Sequence, residues 1–175
     1  AYADTFISQS RRYEMLPTYK LSCNLCNACG QLQTTTCTNP NERYGLHEYS
    51  YTSSNSEASK RHWQSCAETI TQKLGIKSTD FIVEIGSNDG YLLSQFKNSG
   101  NEVLGIDASS YMCNLAIKNG VPSLSSIFDE TSAKEVKEKI SSDVHLVIAN
   151  NVFNHSEDPM SFARGVNNLL IDEGY

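Results

Sequence analysis

The sequence has no apolar run near the roughly 18 residues that a membrane-spanning helix needs. Its first residues, A-Y-A-D-T-F-I-S, lack the basic start and apolar stretch of a secretory leader, so none is expected there. Basic residues are scarce: 14 Lys and Arg against 20 Asp and Glu leave a formal net charge of -6. Binding to nucleic acid calls for a basic patch, and this balance argues against one. No internal repeat or low-complexity tract interrupts the chain. The G-x-G-x-x-G fingerprint of dinucleotide folds is also missing, because Gly86, Asn88 and Tyr91 stand in its frame. NAD is therefore disfavoured, and neither a membrane nor a nucleic acid is an expected partner.

Cysteine is present but is not spread as a disulfide framework would require. Cys23, Cys26, Cys29 and Cys37 crowd one segment, and Cys66 and Cys113 lie inside helical or α/β patterns. Disulfide scaffolds are smaller and loop-rich, so reduced thiols in a cytoplasmic protein are expected, with the cluster a candidate metal site. The residues alone leave C-x-x-C-x-x-C open between a four-cysteine zinc or iron–sulfur site completed by Cys37 and an unmetallated remnant. The gap from Cys29 to Cys37 fits poorly the tight bacterial ferredoxin run.

The chain is long enough for one full domain with a small appendage. Residues 1–55 are polar, with no sustained period, and need a metal, a partner or the rest of the protein to order them. Residues 56–175 are patterned. Ser56 is a candidate N-cap for a helix carrying Trp63, Cys66, Ala67, Ile70 and Leu74 at helical spacing up to Gly75. Strands are predicted at 81–84, at 102–106, around 121–124 and at 144–149. Helices alternate with them: one from Leu92, one capped by Ser109 or Ser110, one through Ala133, Val136 and Ile140, and one opening at Asp158-Pro159. This alternation predicts an α/β fold: a doubly wound, mostly parallel, Rossmann-like sheet with right-handed crossovers. A further strand is due at D-E-G-Y, so the sheet is expected to be incomplete.

The densest information lies in F-I-V-E-I-G-S-N-D-G at 81–90: an apolar strand with Glu84, a Gly-rich turn, then a helix start. Ligands of open α/β sheets bind at this kind of turn. Gly86 lets the backbone approach a ligand, and Gly90 lets the helix pack close to the strand. Asn88 and Asp89 can cap the helix or meet polar groups of a ligand. Asp107 ends the second strand, 23 residues after Glu84, where a carboxylate can accept both hydroxyls of a ribose. Asn150 and Asn151 close the fourth strand on the same edge. The alternative reading is a tight turn with Asp107 capping the next helix. The acidic-x-Gly-x-x-x-Gly spacing is that of S-adenosylmethionine (SAM) methyltransferases, and the convergence of these groups favours a nucleoside cofactor.

V-E-I-G-S-N-D-G-Y-L-L, V-L-G-I-D-A-S and L-V-I-A-N-N-V-F-N-H closely resemble the SAM-dependent C-methyltransferases of deoxysugar biosynthesis, which act on nucleotide-linked keto sugars. C-N-A-C-G-Q-L-Q at 26–33, Y-S-Y-T-S-S-N-S at 49–56 and His62 resemble that family's zinc-binding segment and linker. The resemblance implies that Gly86, Ser87, Asn88, Asp89 and Gly90, with Glu84 of the same motif, line the SAM methionine and ribose. It implies that Asp107 holds the ribose hydroxyls, that Asn150 and Asn151 lie beside the methionine moiety, and that Tyr51 reaches the cofactor. Phe128 would flank the adenine, although a buried core residue is the plainer reading of a Phe there.

Two departures go with it. The family holds zinc with two Cys-x-x-Cys pairs, whereas here Cys26 and Cys29 match the second pair and Cys23 falls where the family has an apolar residue. The zinc site is thus expected to be incomplete, or completed by Cys23 or Cys37. The family's catalytic Tyr, Glu and His follow its fifth strand, so the base is expected beyond Tyr175. The chain then reads as the SAM-binding part of an enzyme truncated at both ends, inactive alone. His155 is implied to be a pocket wall or substrate contact and not the base. His145 reads as a core or edge residue, and His47 and His62 as exposed or capping. The alternatives are a non-catalytic SAM-fold binding module and a small-molecule O- or N-methyltransferase.

Overall fold

A computed structural model describes residues 9–15, 18–46 and 51–175. The sequence expectations for the first eight residues, and for His47, Tyr49 and Ser50, lie outside them. The chain divides into two compact units, Ala1–Ser50 and Tyr51–Tyr175. Composition changes near residue 55, yet Tyr51, Ser53 and Ser54 hydrogen-bond to the α/β unit and belong with it.

In the first unit, β1 (Cys23–Leu25) and β2 (Leu32–Thr34) form an antiparallel hairpin with Leu25 opposite Leu32. The Cys26 amide donates to the Gln31 carbonyl at 2.9 Å, and the Gly30 amide donates to the Cys26 carbonyl at 2.8 Å. The return needs a left-handed residue, and Gly30 supplies it at φ +74°.

The second unit opens with α1 (Glu57–Leu74), capped by the Ser56 hydroxyl and stopped by left-handed Gly75, as the spacing predicts. Then follow β3 (Phe81–Ile85), α2 (Tyr91–Asn98), β4 (Glu102–Asp107), α3 (Ser110–Lys118), β5 (Ser123–Ser125), α4 (Glu130–Lys139), β6 (Val144–Ile148) and α5 (Pro159–Leu169). The strands form one parallel sheet in the order β5-β4-β3-β6. This is the doubly wound α/β fold read from the sequence.

Alternate residues of the sheet feed two cores. Ile82, Val103, Leu146 and Ile148 pack with Ala67 of α1, Leu92, Leu93 and Phe96 of α2, and Ala116 of α3. Phe81, Val83, Ile85, Leu104, Ile106 and Val144 pack with Ala133 and Val136 of α4 and Phe162 and Leu169 of α5. Every residue of β3 is buried, which explains its unbroken apolar run around one acid.

Two local features differ from the periodic reading. The third strand begins at Ser123 because the Val121 amide closes the end of α3 on the Ala116 carbonyl. In β6, register slips between Phe81 and Ile82, leaving His145 as the extra residue. Its Nδ1 accepts the Phe81 amide at 3.3 Å, in place of a ladder carbonyl. His145, expected as a core or edge residue, is thus hydrogen-bonded within the sheet. After α5, Ile171 donates to the Val144 carbonyl at 3.1 Å, and Tyr175 exchanges bonds with His145 and Val147 at 2.9 Å. D-E-G-Y therefore runs along β6, where a further strand was expected.

Phe162 anchors the second core through edge-on contacts with Phe128 at 5.0 Å and Phe153 at 5.3 Å. Phe162→Ala is expected to cost about 3–5 kcal/mol, measured as a lower urea midpoint with an unchanged slope.

Candidate functional site

The turn after β3 is fastened to the end of β4. The amides of Gly86 and Ser87 both donate to the Ile106 carbonyl, at 2.7 and 3.2 Å. Three of the five turn residues have positive φ: Gly86 at +73°, Asn88 at +52° and Gly90 at +75°. A Cβ on Gly86 would stand 2.9 Å from the Val152 side chain, so the loop after β6 fills the space that glycine leaves. A Cβ on Gly90 would stand 3.0 Å from Ala116 and Val121. Gly90 thus lets α2 approach the end of α3, rather than its own strand.

Acidic groups converge on this edge. Glu84 is buried in the middle strand, and its Oε2 has no hydrogen-bond partner among the described residues. Burial, then the like charges of Asp107 and Asp89, hold its carboxyl well above the ordinary value of 4.5. Asp107 is the last residue of β4. One oxygen accepts the Asn88 amide and the other the Ser109 amide, each at 2.8 Å. Burial raises its pKa, and those two amides oppose the rise. Ser109, not Asp107, caps α3, its hydroxyl accepting the Met112 amide, and each Asp107 oxygen keeps a free lone pair for a hydroxyl donor.

The segment before α1 lies against the same turn. Asn88 Nδ2 donates to the Tyr51 carbonyl and Asn88 Oδ1 accepts the Ser53 amide, both at 2.9 Å. Asp89 accepts the Ser54 amide at 3.1 Å and the Ser54 hydroxyl. The Tyr51 side chain is 43% exposed. At the end of β6, Asn151 is left-handed at φ +53°. Asn150 Nδ2 and Ser87 Oγ are buried without partners among the described residues.

The structure therefore brings Glu84, the 86–90 turn, Asp107, Asn150, Asn151 and Tyr51 to one end of the sheet. Phe128 is a core residue at 6% exposure, in keeping with the plainer reading. His155 is exposed at the end of the short turn Phe153–His155. Sequence reasoning missed Val152, Ser53 and Ser54, and also Asn119, whose Nδ2 donates to the Asp89 carbonyl at 3.2 Å. Only the T-S-S-N run beside Tyr51 offered a signal.

Cys26 and Cys29 lie within the hairpin connection of the first unit. The Cys26 sulfur accepts the amides of Cys29 and Ala28, which lower its pKa. A metal-binding thiolate would be favoured by this, but among the described residues no group of three or more His, Cys, Asp or Glu is placed so that it could hold a metal ion. Two sulfurs are half of a tetrahedral site.

The profile of a family described as "Methyltransferase domain" matches residues 83–175, more than half of the chain. The chain belongs to that family. Its architecture is that of class I SAM-dependent methyltransferases. C-methyltransferase NovU of Streptomyces niveus is 24% identical over 156 residues, 89% of this chain and 36% of that protein. A ribosomal RNA small subunit methyltransferase of Arabidopsis thaliana is 44% identical over 45 residues, 26% of this chain and 13% of that protein. The methyltransferase chain thus spans about a third or less of these curated relatives. Among solved structures, a SAM-dependent methyltransferase of Methanococcus maripaludis superposes with a TM-score of 0.52 at 18% identity, covering 64% of this chain and 52% of that one. The plantazolicin methyltransferase BamL, solved with S-adenosylhomocysteine (SAH), gives 0.52 at 19% identity, covering 66% and 44%. These structures agree with the fold. Among the described residues, no helix of this methyltransferase domain is long and apolar enough to cross a membrane.

Glu84 generates a prediction with a definite sign. Its raised pKa means that the folded state holds the proton more tightly than the unfolded chain does. The associated stability is full below 4.5 and is lost as pH rises through the raised folded value. Glu84→Gln should therefore leave the ligand-free protein little changed at about pH 4 and raise its melting temperature at about pH 8. Thermal denaturation at the two pH values measures the difference.

Proposed function

We propose that this end of the sheet binds SAM, and that the protein uses it to methylate carbon beside the ketone of a nucleotide-linked deoxy keto sugar. The carrying observation is the buried, unpartnered Glu84 Oε2, set beside Asp107 and Asp89 at a Gly-rich turn. SAM carries an ammonium and a sulfonium, and a cationic ligand relieves like-charge crowding of this kind. The unpartnered Asn150 Nδ2 and Ser87 Oγ fit a ligand with carboxylate and hydroxyl groups. The residues present thus fit the cofactor.

On this reading, Glu84, the turn Gly86, Ser87, Asn88, Asp89 and Gly90, and the pair Asn150 and Asn151 hold the methionine part. Asp107 accepts the ribose hydroxyls, and Tyr51 borders the site. When bound, SAM supplies a methyl group on a good leaving group. The task of these residues is then to align reactants and keep water out. We assign them to binding and orientation, and His155 to the wall on the acceptor side. The sugar acceptor rests on V-E-I-G-S-N-D-G and A-N-N-V with a following His, and on the identity with a C-methyltransferase. A cytoplasmic setting is supported by six unpaired cysteines. Cys26 and Cys29 are read as half of a zinc site.

Titration calorimetry tests the binding reading. SAH should bind the chain at about one per molecule, and Asp107→Ala should weaken it roughly 10–100-fold, from lost bonds to a charged acceptor. No heat with the intact chain would refute the assignment. Elemental analysis after dialysis against a chelator should find less than one zinc per chain. Full retention would mean that two further ligands complete the Cys26–Cys29 pair.

A further inference from the structure

Asn88 has a bonding pattern that binding a ligand does not explain. It is left-handed at φ +52°, a conformation open to glycine without strain and less favourable for any residue with a Cβ. Its side chain should therefore perform a task that glycine could not. Yet that side chain, 7% exposed, is already committed within the protein. Oδ1 accepts two amides, Ser53 and Asp89, each at 2.9 Å, which uses both of its lone pairs. Nδ2 donates to the Tyr51 carbonyl at 2.9 Å. At the same residue, the backbone amide donates to Asp107 Oδ2 at 2.8 Å.

Asn88 thus faces two ways. Its side chain holds the segment 51–53, and its backbone orients the carboxylate assigned to the ribose. Asp89 extends the first contact by accepting the amide and hydroxyl of Ser54. We propose that Asn88 is a positioning residue that makes docking of Tyr51–Ser54 and binding of the cofactor one coupled equilibrium. The coupling rests on the SAM-binding reading above. The side chain does not contact the ligand in this scheme; it acts through the turn and Asp107. Because coupling is reciprocal, the cofactor must tighten the segment by the factor by which the segment tightens the cofactor.

Hydrogen exchange and calorimetry, both with SAH, test this. In the wild-type chain, SAH should slow exchange of the Ser53 and Ser54 amides about tenfold. Asn88→Gly keeps the turn conformation and removes the side-chain bonds. It should speed those two amides without ligand, bind SAH about tenfold more weakly, and leave the Val83 amide of β3 unaffected. Asn88→Asp keeps the acceptor for Ser53 and loses the donor to Tyr51, and should fall between. Wild-type affinity in Asn88→Gly, or Ser53 and Ser54 amides indifferent to SAH, would overturn the proposal. Faster exchange at Val83 matching that at Ser53 would also overturn it, because the effect would then be general destabilisation. A wild-type chain that fails to bind SAH refutes the SAM reading itself, and the coupling with it.

Discussion

The hydrogen bond from the Asn88 amide to the Asp107 carboxylate joins two residues 19 apart in sequence and ties the turn after β3 to the end of β4. The rest of the sheet edge depends on it. The bond exists because β3 and β4 pair in parallel with Ile85 beside Ile106, so both chains leave the sheet together. The Ile106 carbonyl then takes the amides of Gly86 and Ser87, and the next residue supplies the carboxylate. A slip of one residue would turn Asp107 to the other face and leave the turn's amides without acceptors. Register is set in turn by the two cores, since Ile82 and Val103 face one helix layer while Val83 and Leu104 face the other. Packing of ordinary apolar residues thereby fixes polar geometry at the edge.

Glu84 works against that packing. It stands in a strand whose other four residues are apolar and buried, and its neighbours Asp107 and Asp89 have the same sign. A hydrophobic residue would serve the fold better at this position. Stability given up at a buried, convergent acid is an arrangement typical of sites built for a ligand. The opposing sign of the amide bonds on Asp107 shows how the fold limits the conflict, since backbone donors offset part of the burial cost there.

Much of this was legible in the sequence because it is periodic or local. The α1 boundaries followed from Ser56 and Gly75, and α5 from Asp158-Pro159, since capping is encoded within a few residues. The alternation of strands and helices carried the parallel sheet. Asp107, Asn150 and Asn151 were readable because strand ends in such a sheet share one edge. Illegible were the contacts that need the third dimension. Val152 is an ordinary apolar residue until the structure sets it against Gly86. Ser53 and Ser54 belong to a polar run without a period, and their partners lie 35 residues on. The bulge at His145 is equally hidden, because V-H-L-V-I reads as an unbroken strand.

The role of Gly86 also changes in three dimensions. A glycine in such a turn invites the reading that space is kept for a ligand. Here the direction a side chain would take is occupied by Val152, from the loop that follows Asn150 and Asn151. Gly86 accordingly lets one strand-end loop seat itself upon another. Asn151 adopts φ +53° one residue before that contact, so the backbone bends sharply to bring Val152 in. The position of Asn150, and of its unpartnered Nδ2, is then set by how closely Val152 fits the notch that glycine leaves. A larger residue at 86 would displace the β6 loop before it met any ligand. Gly86, Asn151 and Val152 are in this sense one structural unit, and the close fit of Val152 to Gly86 helps to place the asparagine pair.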